Sequence, residues 1–269
     1  MFFIFIFTAL KKHMNTLINP NGFIATIIDN KTATITFSHP ASNSFPSNLL
    51  KDLTREFNAL SQNESVSVII LKSEGNGAFC AGASFDELLS ITNYNDGKLF
   101  FSGFANVINA MRTCRKIIIG RVQGKAVGGG VGLASACDYV FATNSASVKL
   151  SEIAIGIGPF VIEPAVSRKI GKTAMSQLTL AAHDWKTAQW AFENGLYSEI
   201  FTSAENLDSE LMVFASKLAS YNPEALQEMK KVFWEKTAHW DTLLCERAGI
   251  SGQLVLSDFT KNALSAFKK

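Results

Sequence analysis

What most constrains this chain is an alternation of strand-like and helix-like segments that stops two thirds of the way along. Residues 22–28 (GFIATII) and 32–37 (TATITF), split by Asp29-Asn30-Lys31, read as a hairpin of β-branched strands. A helix then begins near Pro46, with Leu49, Leu50, Leu53, Phe57 and Leu60 on one stripe. Residues 65–73 (SVSVIILKS), 117–124 (IIIGRVQG), 139–143 (YVFAT) and 148–151 (VKLS) are further strands. Between them lie a short helix at Ser84–Leu89 and a long one over 97–114 that carries Phe100, Phe104, Val107, Ile108 and Met111. From about 163 onward the pattern is almost wholly helical. Strands feeding helices and a helical tail predict an α/β fold, with an α/β core over 15–200 and a C-terminal helical region over 201–269.

Composition narrows the class further. A chain of 269 residues that is 47% hydrophobic buries enough surface for one large core. Twenty-five Lys and Arg against 23 Asp and Glu, with no basic block, give no electrostatic footprint for nucleic acid. Cys80, Cys114, Cys137 and Cys245 lie far apart without a CxxC, so neither a disulfide framework nor a metal site is expected, and a reducing, cytoplasmic setting is. The opening MFFIFIFTAL is shorter than the ~20 residues a spanning helix needs. No Lys or Arg precedes it and no small-x-small site follows, so residues 1–14 read as an extension or an early start, and no membrane partner is expected.

Two small-residue turns stand out. Gly128-Gly129-Gly130 lies between a strand and a helix expected near Val131, and Ala81-Gly82-Ala83 lies between a strand and the helix at Ser84. Glycines let the backbone approach a ligand, and a helix start aims N–H groups at an oxygen. Each turn alone is equally a tight packing turn. Together they supply what a thioester carbonyl becoming an enolate needs, two N–H donors on one oxygen. Glu152 follows VKLS inside apolar sequence, where desolvation raises a carboxyl toward the range of a general acid or base; a cap or a buried ion pair explains a lone Glu as well. Glu163, before Pro164, reads as a helix-start acid, and Asp138 as a tie between strands. His183 and Asp184 fall in an interhelix loop, His39 in the loop after the second strand, and Trp185, Trp190, Trp234 and Trp240 read as core.

From about Gly22 to the C-terminus the chain resembles the enoyl-CoA hydratase/isomerase (crotonase) superfamily. The likeness rests on ATITFSHPASNSF, VIILKSEGNGAFCAGASFDEL, GRVQGKAVGGGVGLASACDYVFAT, VKLSEIAIGIGP and the terminal SDFTKNALSAFKK, in that order. It implies a spiral of ββα units followed by helices, assembled as homotrimers or hexamers, acting on an acyl-CoA thioester with no cofactor beyond the substrate's own CoA. Carried over, Ala83 and Gly129 become the oxyanion-hole donors and Glu152 one of two catalytic glutamates. Ala81 and Ala83 to Asp86 (Ser84 and Phe85 between them), with Ala41 and Ser42 in the loop reaching Ser44, would line the CoA path together with Gly129.

The second glutamate belongs at position 132, where this chain has Gly132, and Ser84 stands where the family often has Asp. One carboxylate suits a Δ3-Δ2 enoyl-CoA isomerase, which shuttles a single proton. It also suffices for syn hydration if it takes the water proton and returns it. GGGVGL followed by LSEIAIGIGPFVIEPAVSRKIG resembles bacterial 3-methylglutaconyl-CoA hydratases of leucine breakdown, which favours a hydratase of a branched 2-enoyl-CoA. A non-catalytic acyl-CoA-binding homologue is the reading from another class.

Overall fold

The computed structural model describes residues 19–266, so the expected extension at 1–14 lies outside them. The hairpin forms as β1 (Phe23–Asp29) and β2 (Thr32–Ser38), paired antiparallel from Phe23–Ser38 to Asp29–Thr32. Asn30 and Lys31 both take positive φ (46° and 64°), the turn whose twist matches the strands it joins. After α1 (Ser47–Gln62), strands β3 (Val68–Ser73), β4 (Ile117–Val122), β6 (Tyr139–Thr143) and β9 (Glu199–Phe201) add in parallel, giving the order β1-β2-β3-β4-β6-β9. A second sheet, β5-β7-β8, joins β5 (Ala126–Val127), β7 (Ser147–Lys149) and β8 (Lys186–Thr187). The two strands β8 and β9 correct the expectation of an almost wholly helical chain after 163. Both are very short and leave no alternation to read.

Both faces of the main sheet are covered, which explains why β3 and β4 read as unbroken apolar runs. Ile69, Leu71, Ile118 and Val122 face the core built with α1, α3 (Tyr94–Thr113) and α4 (Gly129–Ala136). The alternate residues Val68, Ile70, Ile119 and Phe141 pack on Leu207, Leu211 and Ala215 of α7 (Ala204–Ala219). Buried Arg121 of β4 pins α7 through Asp208, with two bonds of 2.6 and 2.8 Å. Of the remaining helices, α2 (Phe85–Ser90) follows the Ala81-Gly82-Ala83 turn, α5 (Glu163–Leu180) and α6 (Ala188–Glu193) flank β8 in sequence, and α8 (Pro223–Phe233) follows α7.

The C-terminal helices share the same core. In α9 (Trp240–Leu254), Trp240, Leu244 and Ala248 belong to one cluster with Ala33 and Ile35. Gly252 meets Gly97 of α3 so closely that a Cβ on Gly97 would lie 2.8 Å from the Gly252 carbonyl oxygen. The last helix, α10 (Asp258–Ala266), buttresses the turn that ends the Glu152 segment: a Cβ on Gly156 (φ 86°) would lie 2.6 Å from Thr260 Oγ1. Asp138 does tie strands together. Its Oδ2 accepts from the Ile118 N–H (2.8 Å) and Lys230 Nζ (2.6 Å), and Oδ1 accepts from Trp234 Nε1 (2.8 Å). Asp138→Ala would leave Lys230, 3% exposed at its side chain, as an unpaired buried charge. We expect a loss of about 3–5 kcal/mol in denaturant unfolding.

Candidate active site

Two turns and one carboxyl converge on a cavity of about 520 Å³. The first turn is held by a parallel bridge between Phe45 and Ala83: Phe45 N–H donates to the Gly82 carbonyl (2.8 Å) and Ser84 N–H to the Phe45 carbonyl (2.9 Å). A residue flanked this way turns its own N–H to the opposite side, and the Ala83 N–H has no acceptor among the described residues. Gly82 takes φ 90°, and a Cβ there would lie 3.6 Å from Gly129 N, so the two turns abut. The second turn opens α4 at Gly129, two residues earlier than expected from the apolar pattern. Gly128 N–H donates to the Lys149 carbonyl (2.9 Å), and the Gly129 N–H, a first-turn donor on the cavity wall, has no acceptor among the described residues.

Each of the three glycines is required by a different neighbour. A Cβ on Gly128 (φ 52°) would lie 2.7 Å from Glu152 Oε1, one on Gly129 2.3 Å from the Phe104 ring, and one on Gly130 2.5 Å from the Cys80 carbonyl oxygen. The run packs backbone directly under a carboxylate and an aromatic ring.

Glu152 opens a 3-10 turn, Glu152–Ile155, straight after β7. Its Oε2 is buried without a hydrogen-bond partner in the described protein. Burial pushes its pKa from 4.5 up to about 7, only partly offset by its own backbone N–H. Beyond it the wall is apolar, with Phe100, Phe101, Phe104, Ile157, Phe160 and Ile162 among the lining residues. Such a group holds and releases a proton near neutrality, facing two unused N–H donors.

At position 132 the space for a second carboxylate is filled. A Cβ on Gly132 would lie 2.5 Å from Ile162 Cγ2 and 2.8 Å from its Cβ. We therefore expect Gly132→Ala to destabilise the protein by about 1–3 kcal/mol, with Ile162→Ala in the same chain recovering part of it; the check is paired denaturant melts. Glu163 does not substitute as an acid. Burial raises it, but hydrogen bonds from Arg247, Lys172 and Ser167 outweigh that and hold it near 2. Cys80 is no nucleophile either, because burial pushes its thiol up to about 12.

Of the residues picked out from sequence, Ala81, Ala83, Phe85, Gly129 and Glu152 line the cavity. Ala41, Ser42, Ser84 and Asp86 do not. Ser84 caps α2, accepting from the Glu87 N–H (3.3 Å), and Ser42 ties its exposed loop to the donor turn by accepting from the Ala81 N–H (3.1 Å). Among the lining residues that sequence reading did not place at the site are Lys149, His183 and Trp185. Trp185 is not core but 40% exposed, because β8 pairs with β7 and presents it at the cavity rim.

Residues 28–260 match the Enoyl-CoA hydratase/isomerase family. The chain belongs to that family. This enoyl-CoA hydratase/isomerase family member is 27% identical to the short-chain-enoyl-CoA hydratase of Clostridium acetobutylicum over 242 residues, 89% of this chain and 92% of that one. The mitochondrial methylglutaconyl-CoA hydratase of Homo sapiens is 38% identical over 117 residues, which cover 44% of this chain and 34% of that protein. The crystal structure of enoyl-CoA hydratase from Bacillus halodurans shares the fold, with a TM-score of 0.84 at 22% identity over 91% of this chain and 99% of that one. The expected crotonase-type α/β fold is thereby met, and so is an enzyme of hydratase/isomerase type.

Proposed function

We propose that this chain hydrates a 2-enoyl-CoA thioester with Glu152 as its single carboxylate. The observation that carries the reading is Glu152 Oε2, buried without a hydrogen-bond partner among the described residues, on one cavity lining with Ala83 and Gly129, whose N–H groups have no acceptor among those residues. The donors hold the thioester oxygen and draw electron density from C3. Glu152 takes a proton from water as the water oxygen bonds to C3, and the charge moves onto the thioester oxygen as an enolate. The enolate collapses by taking that same proton from Glu152 at C2. One water is added across the double bond and the enzyme returns to its starting state, without a further cofactor.

Ala41, Ser42, Ser84 and Asp86 flank the donor turn outside the cavity and Phe85 lines it, so that together they would border the path of CoA. A branched, carboxylate-tailed substrate such as 3-methylglutaconyl-CoA is supported by the likeness of one segment to the human hydratase. A Δ3-Δ2 isomerase is the second reading. It is favoured by Ile162 filling the space at position 132, which leaves Glu152 as the lone carboxyl on the wall among the described residues.

Turnover of 3-methylglutaconyl-CoA, crotonyl-CoA and a 3-enoyl-CoA by one preparation separates these readings. Hydration of either 2-enoyl ester supports the proposal, while conversion of the 3-enoyl ester alone replaces it with the isomerase. Binding without turnover of any ester replaces it with a non-catalytic acyl-CoA-binding role. We further propose a homotrimer or hexamer in a cytoplasmic setting. Exposed Met212, Val213, Val232 and Phe233 on α7 and α8 supply apolar surface for assembly. Its mass in solution tests the assembly, and a monomer would reject it. Among the described residues no helix is long and apolar enough to cross a membrane.

A further inference from the structure

Among the described residues the cavity lining holds one ammonium, and nothing in the proposed hydration uses it. Lys149 lines the cavity three residues before Glu152. Its carbonyl holds the Gly128 N–H at 2.9 Å, so its side chain starts one peptide away from the donor Gly129. The ammonium is fixed rather than free: Nζ donates to the His183 carbonyl (2.9 Å) and lies 5.5 Å from the centre of the Trp185 ring. Lys125 Nζ converges on the same ring at 4.8 Å. Among the described residues neither lysine stands in an ion pair, although Glu152 is three positions from Lys149 and Asp184 adjoins Trp185. Two like charges gathered on one indole repel each other, and an anionic oxygen placed beside them relieves that cost.

Resting on the hydratase reading, we infer that Lys149, oriented by Trp185 and the His183 carbonyl, determines specificity by binding a carboxylate on the acyl group of the substrate. Two anions are available on an acyl-CoA. A short diacyl group keeps its far carboxylate within a side chain's length of the thioester carbonyl, whereas the phosphates of CoA are held away by the whole pantetheine arm. Lys149 begins beside the oxyanion donors, so reach selects the acyl carboxylate. Among the described residues the cavity lining offers no other Lys or Arg, and much of it is apolar, with Phe100, Phe101, Phe104, Ile157, Phe160 and Ile162. Held at the rim beside Trp185, the Lys149 ammonium gives an acyl carboxylate a charged partner next to an otherwise apolar wall.

The test compares Lys149→Met and Lys149→Arg with the unaltered chain on two esters that share CoA and differ in the tail. For Lys149→Met we expect kcat/KM for 3-methylglutaconyl-CoA to fall roughly 10- to 100-fold further than for crotonyl-CoA, the range for losing a charged hydrogen bond. Lys149→Arg, which keeps the charge, should retain most of the preference. Calorimetric binding of glutaryl-CoA against butyryl-CoA gives the same comparison without turnover. If the hydratase reading fails, no hydration is seen, yet the preference for glutaryl-CoA and its loss in Lys149→Met still stand. Equal losses on both esters would assign Lys149 to CoA itself and overturn the inference. An unchanged preference in Lys149→Met would overturn it as well.

Discussion

Glu152→Gln is expected to cut kcat for hydration by about 10²–10⁴-fold, the usual contribution of a positioned acid–base group, while CoA-ester binding survives. Glutamine keeps the shape of the side chain, so the Gly128 contact and the 3-10 turn remain. The same substitution has a second, opposite consequence for stability. The folded carboxyl titrates near 7 against an ordinary 4.5. A raised folded pKa means that the native state holds the proton more tightly than the unfolded chain does. Its stabilisation is complete below about pH 4.5 and is lost as pH rises through 7. At alkaline pH the native enzyme therefore carries a penalty of roughly 3 kcal/mol for burying the anion, and the uncharged Gln removes it. The variant should thus melt at a higher temperature than the native chain above pH 7 and be nearly inactive. The native enzyme's kcat/KM should rise with pH through about 7, as the carboxyl becomes able to accept the water proton. Undiminished turnover in Glu152→Gln would remove the residue from the mechanism.

Gly129→Ala is the second large effect. The added Cβ would lie 2.3 and 2.4 Å from carbons of the Phe104 ring. That ring is 6% exposed and packs edge-on against Phe45, with centroids 6.2 Å apart, so it has little room to withdraw. The clash is relieved instead by moving the start of α4, which turns the Gly129 N–H away from the thioester oxygen. Losing one oxyanion donor costs about 3–4 kcal/mol of transition-state stabilisation, or 10²–10³-fold in kcat. Overpacking should add a folding penalty of about 1–3 kcal/mol. Pairing the substitution with Phe104→Leu opens the space and should restore part of both losses. Full activity in Gly129→Ala alone would show that this N–H is not a donor in the reaction.

The parts of the site that sequence disclosed are those dictated locally. The small-residue turns at 81–83 and 128–130 and a carboxyl in apolar surroundings each leave a mark within a few residues. The fold was legible for the same reason: β3 and β4 are apolar throughout because both of their faces are covered. What stayed hidden depends on distant pairing. Trp185 is set on the rim by the two-residue strand β8 against β7, a pairing too short to leave any periodicity. Lys149 becomes significant only because that pairing places its ammonium at the His183 carbonyl. The filled space at Gly132 likewise depends on Ile162, thirty positions away in sequence and at the head of another helix.

The most direct test of single-carboxylate hydration is turnover of a 2-enoyl-CoA in water enriched in oxygen-18, with the product analysed by mass spectrometry. The account predicts a 3-hydroxyacyl-CoA that carries the label, formed by the native chain and lost in Glu152→Gln. An unlabelled mixture of 2- and 3-enoyl esters, equilibrated without any hydroxy product, would contradict it.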